Sequence, residues 1–295
     1  MVQPDSMNCT LCPRRCGALR TAEAGGGFCA MPAGVRVARA ALHHWEEPPI
    51  SGTRGSGTVF FSGCTLRCCY CQNHDISAGG FGKPVTTERL REIFEELITE
   101  GAHNINLVTP THFLPWILPA LEPKLPVPVV YNCGGYESVD TLRRLEGKVD
   151  IYLPDLKYAD GALAARLSAA PDYFPVAIAA IREMYRQTGD IVLENGLLRR
   201  GVVIRHLVLP GQLDNTRRCI DAVAETFRPG QVLFSLMSQY TPQPGAEGLL
   251  ARHVTRAEYR AAVEYMENCG ITGGFTQERT AAREEYTPPF DLTGV

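Results

Sequence analysis

The stretch Thr58-Val59-Phe60-Phe61-Ser62-Gly63-Cys64-Thr65-Leu66-Arg67-Cys68-Cys69-Tyr70-Cys71 decides how this chain is read. Thr58 to Ser62 is a short apolar, β-branched run of the kind that makes a buried strand. Three cysteines follow at once as C-x3-C-x2-C, in a long loop that runs to about Pro84. Thiolates so spaced suit an iron-sulfur cluster. A cubane has four irons, so three protein ligands leave one iron open to another molecule. A closed zinc site needs a fourth ligand, and the neighbours are Cys69, crowded against Cys68, and His74.

Downstream the texture stays regular. Short strand-like runs at 104–108, 127–131, 150–153, 202–209 and 231–236 join the first to make six. Helical patterns fill the gaps at 87–100, 111–121, 138–145, 172–188, 215–227 and 255–268, with Thr87 and Pro171 as start signals. Pro119 to Pro128 is a proline-rich connection rather than a domain boundary. Alternating β and α segments imply a mainly parallel sheet, either wrapped into an open barrel or lying flat and doubly wound. In both arrangements ligands collect at the carboxyl ends of the strands.

Upstream, residues 1–50 carry four cysteines and the run Gly25-Gly26-Gly27 but little periodicity, so packing alone does not account for their folding. Cys9, Cys12, Cys16 and Cys29 make C-x2-C-x3-C-x12-C. Four thiolates permit a closed site, and zinc or an auxiliary iron-sulfur cluster both fit, beside the alternative of free thiols. Eight of the 11 cysteines lie between Cys9 and Cys71, and Cys133, Cys219 and Cys269 read as small buried hydrophobes. With 29 Lys+Arg against 32 Asp+Glu, bulk charge calls for neither nucleic acid nor an anionic membrane. No apolar run reaches the roughly 18 residues of a membrane span. The N-terminal residues have no basic patch or apolar core of a signal peptide, so a cytoplasmic setting is expected, where disulfides are disfavoured and clustered cysteines point to metal or redox work.

The loop at the end of the first strand, with Tyr70 before its last cysteine, resembles the radical S-adenosylmethionine superfamily, and within it the pyruvate formate-lyase activating enzyme-like group. Val37 to Pro48, then Ser51-Gly52 and Gly55-Ser56-Gly57-Thr58, is similar to its uncharacterised activating enzyme-related subgroup. The resemblance covers nearly the whole chain. It implies a partial TIM-like (β/α)6 open barrel over residues 51–275, after a small cysteine-rich metal-binding segment (1–50) and before a peripheral tail (276–295). It also implies a 4Fe-4S cluster on Cys64, Cys68 and Cys71, whose open iron chelates S-adenosylmethionine and splits it reductively to methionine and a 5'-deoxyadenosyl radical. Hydrogen abstraction from a partner protein, as in glycyl radical activation, is the leading expectation. A small-molecule or peptide target is the alternative, and a flavodoxin or ferredoxin is the implied reductant.

Further residues follow from the same resemblance. Arg205, inside the apolar run Val202 to Leu209, matches an arginine that helps hold the methionine carboxylate. Read by itself, a buried guanidinium needs an acid, and Asp155 is a candidate. Asp155 and Lys157 match an Asp-x-Lys pair reaching the methionyl moiety, where the plain reading is a helix cap and a solvated lysine. Asn132 falls near the ribose. Thr109 and Thr111 stand where the superfamily carries a Gly-Gly-Glu-like stretch, and Gln239 and Tyr240 stand where activating enzymes carry a histidine. His43 to Glu47 reads as an entrance to the site or as a seam between the two parts. A rival from another class, a non-catalytic iron-sulfur or zinc protein for electron transfer or binding, gives no reason for Arg205, Asp155 and Lys157 to stand at successive strand ends.

Overall fold

The computed structural model describes residues 6–276 and 287–295. Two short strands, β1 (Ser6–Asn8) and β2 (Leu19–Thr21), pair antiparallel in the cysteine-rich segment. The main sheet begins with β3 (Val35–His43), β4 (Ser56–Phe61), β5 (Lys83–Val85), β6 (Ile105–Val108), β7 (Val129–Cys133) and β8 (Ile151–Pro154). It continues with β9 (Val192–Glu194), β10 (Leu197–Leu207), β11 (Leu233–Met237) and β12 (Gly274–Thr276). Its order is β12-β11-β10-β8-β7-β6-β4-β3-β5, with β9 folded back on β10. From β4 to β12 along this path every pairing is parallel, and β3 and β5 add antiparallel strands at one edge. The six expected strands are all present, and the sheet forms the expected open α/β barrel.

Helices cover its outer face because their apolar residues recur at helical spacing. In Thr87–Thr99, Leu90, Ile93, Phe94 and Leu97 are buried against β3, β4 and β6. The helix starts at Thr87 as expected, and the residue before it, Thr86, is the cap, its hydroxyl accepting from the Arg89 amide at 3.1 Å. Tyr173–Thr188, Leu213–Thr226 and Arg256–Asn268 follow the pattern read from the sequence. The expected helix at 111–121 splits into a 3-10 turn, Thr111–Phe113, and a helix, Leu114–Ala120.

Alternation sets the inner face of the barrel. Val130, Ile151, Leu153 and Val203 turn inward as an apolar layer, and Ile50, fully buried, packs on it. Ile50 sits in a one-turn helix, Pro48–Ser51, so the segment after β3 plugs the lumen from below; Asn104 donates to the Ile50 carbonyl at 2.8 Å. Above this layer Asn106, Asn132 and Arg205 make the next inward layer polar. At the other end of the chain, residues 287–295 lie along β3, with Leu292 N donating to Ala38 O at 3.1 Å and Ala40 N to Thr293 O at 2.8 Å. The sequence Arg283 to Tyr286, read as part of a peripheral tail, lies outside the described residues. Among those described, no helix is long and apolar enough to cross a membrane.

Candidate active site

A cavity of about 220 Å³ opens at the carboxyl ends of the parallel strands. Cys64, Cys68 and Cys71 form one wall; Asn132, Asp155, Lys157 and Arg205 stand in the others. The local chain geometry requires this. Gly63 turns the chain out of β4 at φ +79, and a Cβ there would meet Met31 Cγ at 2.3 Å. Gly135, at φ +77, lets the turn after β7 press on the Asp155 carbonyl, which a Cβ would meet at 2.0 Å.

Each of the three sulfurs accepts a hydrogen bond: Cys64 from the Leu66 amide (3.3 Å), Cys68 from Ser168 Oγ (2.9 Å) and Cys71 from Ser77 Oγ (3.4 Å). Tyr70 joins the same chain, its hydroxyl 2.6 Å from that of Tyr158, which lies 2.6 Å from Ser168 Oγ. Tyr70 also lines the cavity. Burial pushes the Cys64 and Cys71 thiols up, so their ionised forms need a cation beside them. Cys69 is exposed, is not among the cavity residues, and gives its amide to Leu167 O at 2.9 Å. His74 is exposed as well. Three soft donors on one wall of the cavity, with the two spare candidates turned away, are the donor set of a cluster that keeps one iron for another ligand.

Facing the sulfurs is a buried charged chain. Arg205 donates to Asp155 Oδ1 (2.9 Å), Asn132 Oδ1 (2.6 Å) and Glu46 Oε2 (3.2 Å). Lys157 Nζ reaches the other Asp155 oxygen at 2.5 Å. Burial opposes ionisation of Asp155, but Arg205 and Lys157 overcome it and hold the carboxyl below its usual range. The salt bridge to Asp155 that the sequence allowed is therefore formed, while both cations still border the cavity. Asp155 caps no helix and Lys157 is half-buried and paired with Asp155 rather than solvated, so the plainer readings of that pair do not describe them.

Glu46 is the partner that sequence reasoning missed. Asn106 Nδ2 (3.1 Å) and Asn132 Nδ2 (3.2 Å) fix its other oxygen, at the centre of the polar layer. The segment His43 to Glu47 is thus no seam; it enters the lumen. Glu46 and Glu47, with Trp45 and Arg205, line a second cavity of about 720 Å³ that shares Arg205, Met237 and Gln239 with the first.

Thr109 lines the first cavity, its amide held by Asn132 O at 2.8 Å. Thr111 does not: its hydroxyl lies in a buried group, donating to Glu137 at 2.8 Å and accepting from Tyr131 at 3.2 Å. Gln239 borders both cavities, whereas Tyr240 is packed in the core with its hydroxyl on Leu250 O. Cys133 and Cys219 are buried, and Cys269 is half-buried beside Asp221. Cys9, Cys12, Cys16 and Cys29 lie in the N-terminal unit, away from this cavity. Among the described residues no three His, Cys, Asp or Glu side chains are gathered as a site for a metal ion, which applies to both cysteine groups alike.

Comparison with known proteins agrees with this geometry. The family described as the radical SAM superfamily matches residues 58–223. An uncharacterised protein of Methanocaldococcus jannaschii is 31% identical over 279 residues, 90% of this chain and 75% of that one. Among solved structures, Streptococcus suis SuiB bound to S-adenosylmethionine superposes with a TM-score of 0.53 at 13% identity, over 73% of this chain and 48% of that one. A radical SAM methyltransferase from Sphaerobacter thermophilus gives 0.51 at 16% identity, over 75% and 66%. The chain thus spans about half the length of SuiB, and at these identities the likeness is one of fold.

Proposed function

Because this chain belongs to the radical SAM superfamily, whose cofactors are a 4Fe-4S cluster and S-adenosylmethionine, we propose that Cys64, Cys68 and Cys71 hold the cluster and that the enzyme abstracts hydrogen from a glycine of a partner protein. When bound and reduced, the cluster would supply one electron to the sulfonium C–S bond of S-adenosylmethionine, which would part into methionine and a 5'-deoxyadenosyl radical. The chain's own residues orient and enclose. Lys157 and Arg205 supply positive charge for the methionine carboxylate, Asp155 sets the angle of both, and Asn132 and Thr109 border the ribose side. Leu66, Ser168 and Ser77 donate to the ligand sulfurs, and Tyr70 backs the loop. The observation that carries this reading is the three-sulfur wall facing Asp155, Lys157 and Arg205 across one cavity.

The protein target is supported by the resemblance of Val37 to Pro48 to the activating enzyme-related group and by the larger cavity beyond Arg205, which has room for an extended segment of chain. A small basic molecule is a second reading. Glu47 lines that cavity with one buried oxygen, Oε2, that has no partner among the described residues. Such a carboxylate suits an incoming amine or amide donor. The reductant we assign is a flavodoxin or ferredoxin of the cytoplasm, a compartment that suits the 11 free cysteines. We keep the division into a cysteine-rich segment (1–50), a barrel (51–275) and a tail (276–295) as our working description.

The target is tested with reconstituted enzyme, reductant, S-adenosylmethionine and an extract of proteins from cells grown on Cα-deuterated glycine. Deuterium is expected in the 5'-deoxyadenosine. Abundant 5'-deoxyadenosine without deuterium would sink the glycine target and leave the superfamily chemistry standing.

A further inference from the structure

Arg20 is one of the most deeply buried side chains of the molecule, 1% exposed. Its guanidinium is permanently charged, and taking such a group out of water costs several kcal/mol unless an anion compensates. Among the described residues no carboxylate pairs with it. Its donors go to the carbonyls of Met31 (3.1 Å), Pro32 (2.6 Å) and His112, and Nη1 lies 4.0 Å from Cys9 Sγ. Phe113 and Trp116 flank it, their rings 5.5 and 5.3 Å from Cζ. Carbonyl dipoles and rings orient the cation; they do not neutralise it. The acidic side chains nearest to it are cysteines, Cys9 and Cys29, and thiolates held there by a metal would carry the missing charge.

The chain folds so that Cys12, Cys16 and Cys29 lie in the neighbourhood of Cys9, though the four sulfurs are not drawn together to ligand distance among the described residues. Cys9 N donates to Ala18 O and Gly17 N to Cys9 O, at 3.0 and 3.1 Å, which sets Cys9 beside the segment after Cys16. Between them Arg15 N closes a turn on Cys12 O at 3.0 Å. Gly27 lies against Cys16, where a Cβ would stand 3.0 Å from Sγ, and Ala30 N closes a turn on Gly27 O around Cys29. Cys12 and Cys29 accept from the amides two residues on, those of Arg14 and Met31, as Cys64 does from Leu66. Two turns thus present four soft donors beside one uncompensated cation.

We propose that Cys9, Cys12, Cys16 and Cys29 bind a second metal centre as thiolates, with Arg20 as its buried counter-charge. Four thiolates on a divalent ion, or on a 4Fe-4S core, leave a net negative charge, which is the charge Arg20 lacks. The centre is also braced to the loop of the first. The Phe28 ring lies between two guanidiniums, 3.9 Å from Arg14 Cζ and 4.9 Å from Arg67 Cζ. Arg14 Nε donates to Thr65 O (3.0 Å), and Arg67 Nη2 donates back to Phe28 O (2.6 Å).

The test removes the first centre. A Cys64→Ala/Cys68→Ala/Cys71→Ala variant, expressed with zinc and iron and separately reconstituted with iron and sulfide, is analysed for metal and by absorption. One zinc per chain, or about four irons with cluster absorption, is expected to remain, and either supports the second centre while naming its metal. Adding Cys9→Ala and Cys12→Ala should abolish it, and Arg20→Met should speed its loss to a chelator several-fold. Should the triple variant fail to fold, the wild-type chain decides: metal beyond four irons supports the proposal, and four irons with no zinc overturns it. A folded triple variant that binds no metal overturns it too, whatever the first motif binds.

Discussion

Glu137 shows how much a single position hides. Its carboxyl is buried and accepts from Thr111 and Tyr131 with no cation beside it among the described residues, and burial raises it to about 7. Unfolded, the same group ionises near 4.5. Between those two values the unfolded chain gives up a proton that the folded chain keeps, so stability falls as pH rises. The contribution is complete below about pH 4.5 and gone above about pH 7. Glu137→Gln keeps hydrogen bonds to Thr111 and Tyr131 but cannot titrate. Relative to that variant, the wild type should lose about 3 kcal/mol between these limits, measured by urea unfolding; a pH-independent difference would show that the carboxyl is ionised throughout. Residues of this kind are not legible in sequence. Glu46 is hidden for the same reason: Asn106, Asn132 and Arg205 meet it from 60, 86 and 159 positions away. Cys64, Cys68 and Cys71 are legible because their chemistry is packed into one loop.

At the scale of elements, the parallel strands announce themselves as apolar runs because both faces are covered. Other elements gave no such signal, and three of them show why. β3 carries Arg36 and Arg39 among its apolar residues and pairs antiparallel at the edge of the sheet. The helix Gly161–Ser168 is built of small residues with a weak apolar stripe, and β12 is three residues long beginning at a glycine. The one-turn helix Pro48–Ser51 was equally silent, since its meaning is tertiary: Ile50 closes the lumen beneath the charged layer. Ile50→Ala should therefore cost about 3 kcal/mol, the range of a buried aliphatic truncation that leaves a cavity. Urea denaturation monitored by circular dichroism gives the value. A loss below about 1 kcal/mol would mean that the plug is not packed as described.

The whole molecule is an open barrel closed by pieces from elsewhere in the chain. The segment after β3 fills its base, residues 287–295 lie on its antiparallel edge, and the cysteine-rich unit leans on the loop of the first motif. Such enclosure suits the radical chemistry we propose, which must keep water and oxygen out. Our central claim is that this site holds a cluster with one iron left for a nucleotide. The direct measurement is electron paramagnetic resonance of anaerobically reconstituted, reduced enzyme before and after S-adenosylmethionine is added. The spectrum should shift in the wild type and in Cys69→Ala, with 5'-deoxyadenosine formed by both, and Cys68→Ala should show neither. A full, reducible cluster whose spectrum ignores S-adenosylmethionine would contradict the account.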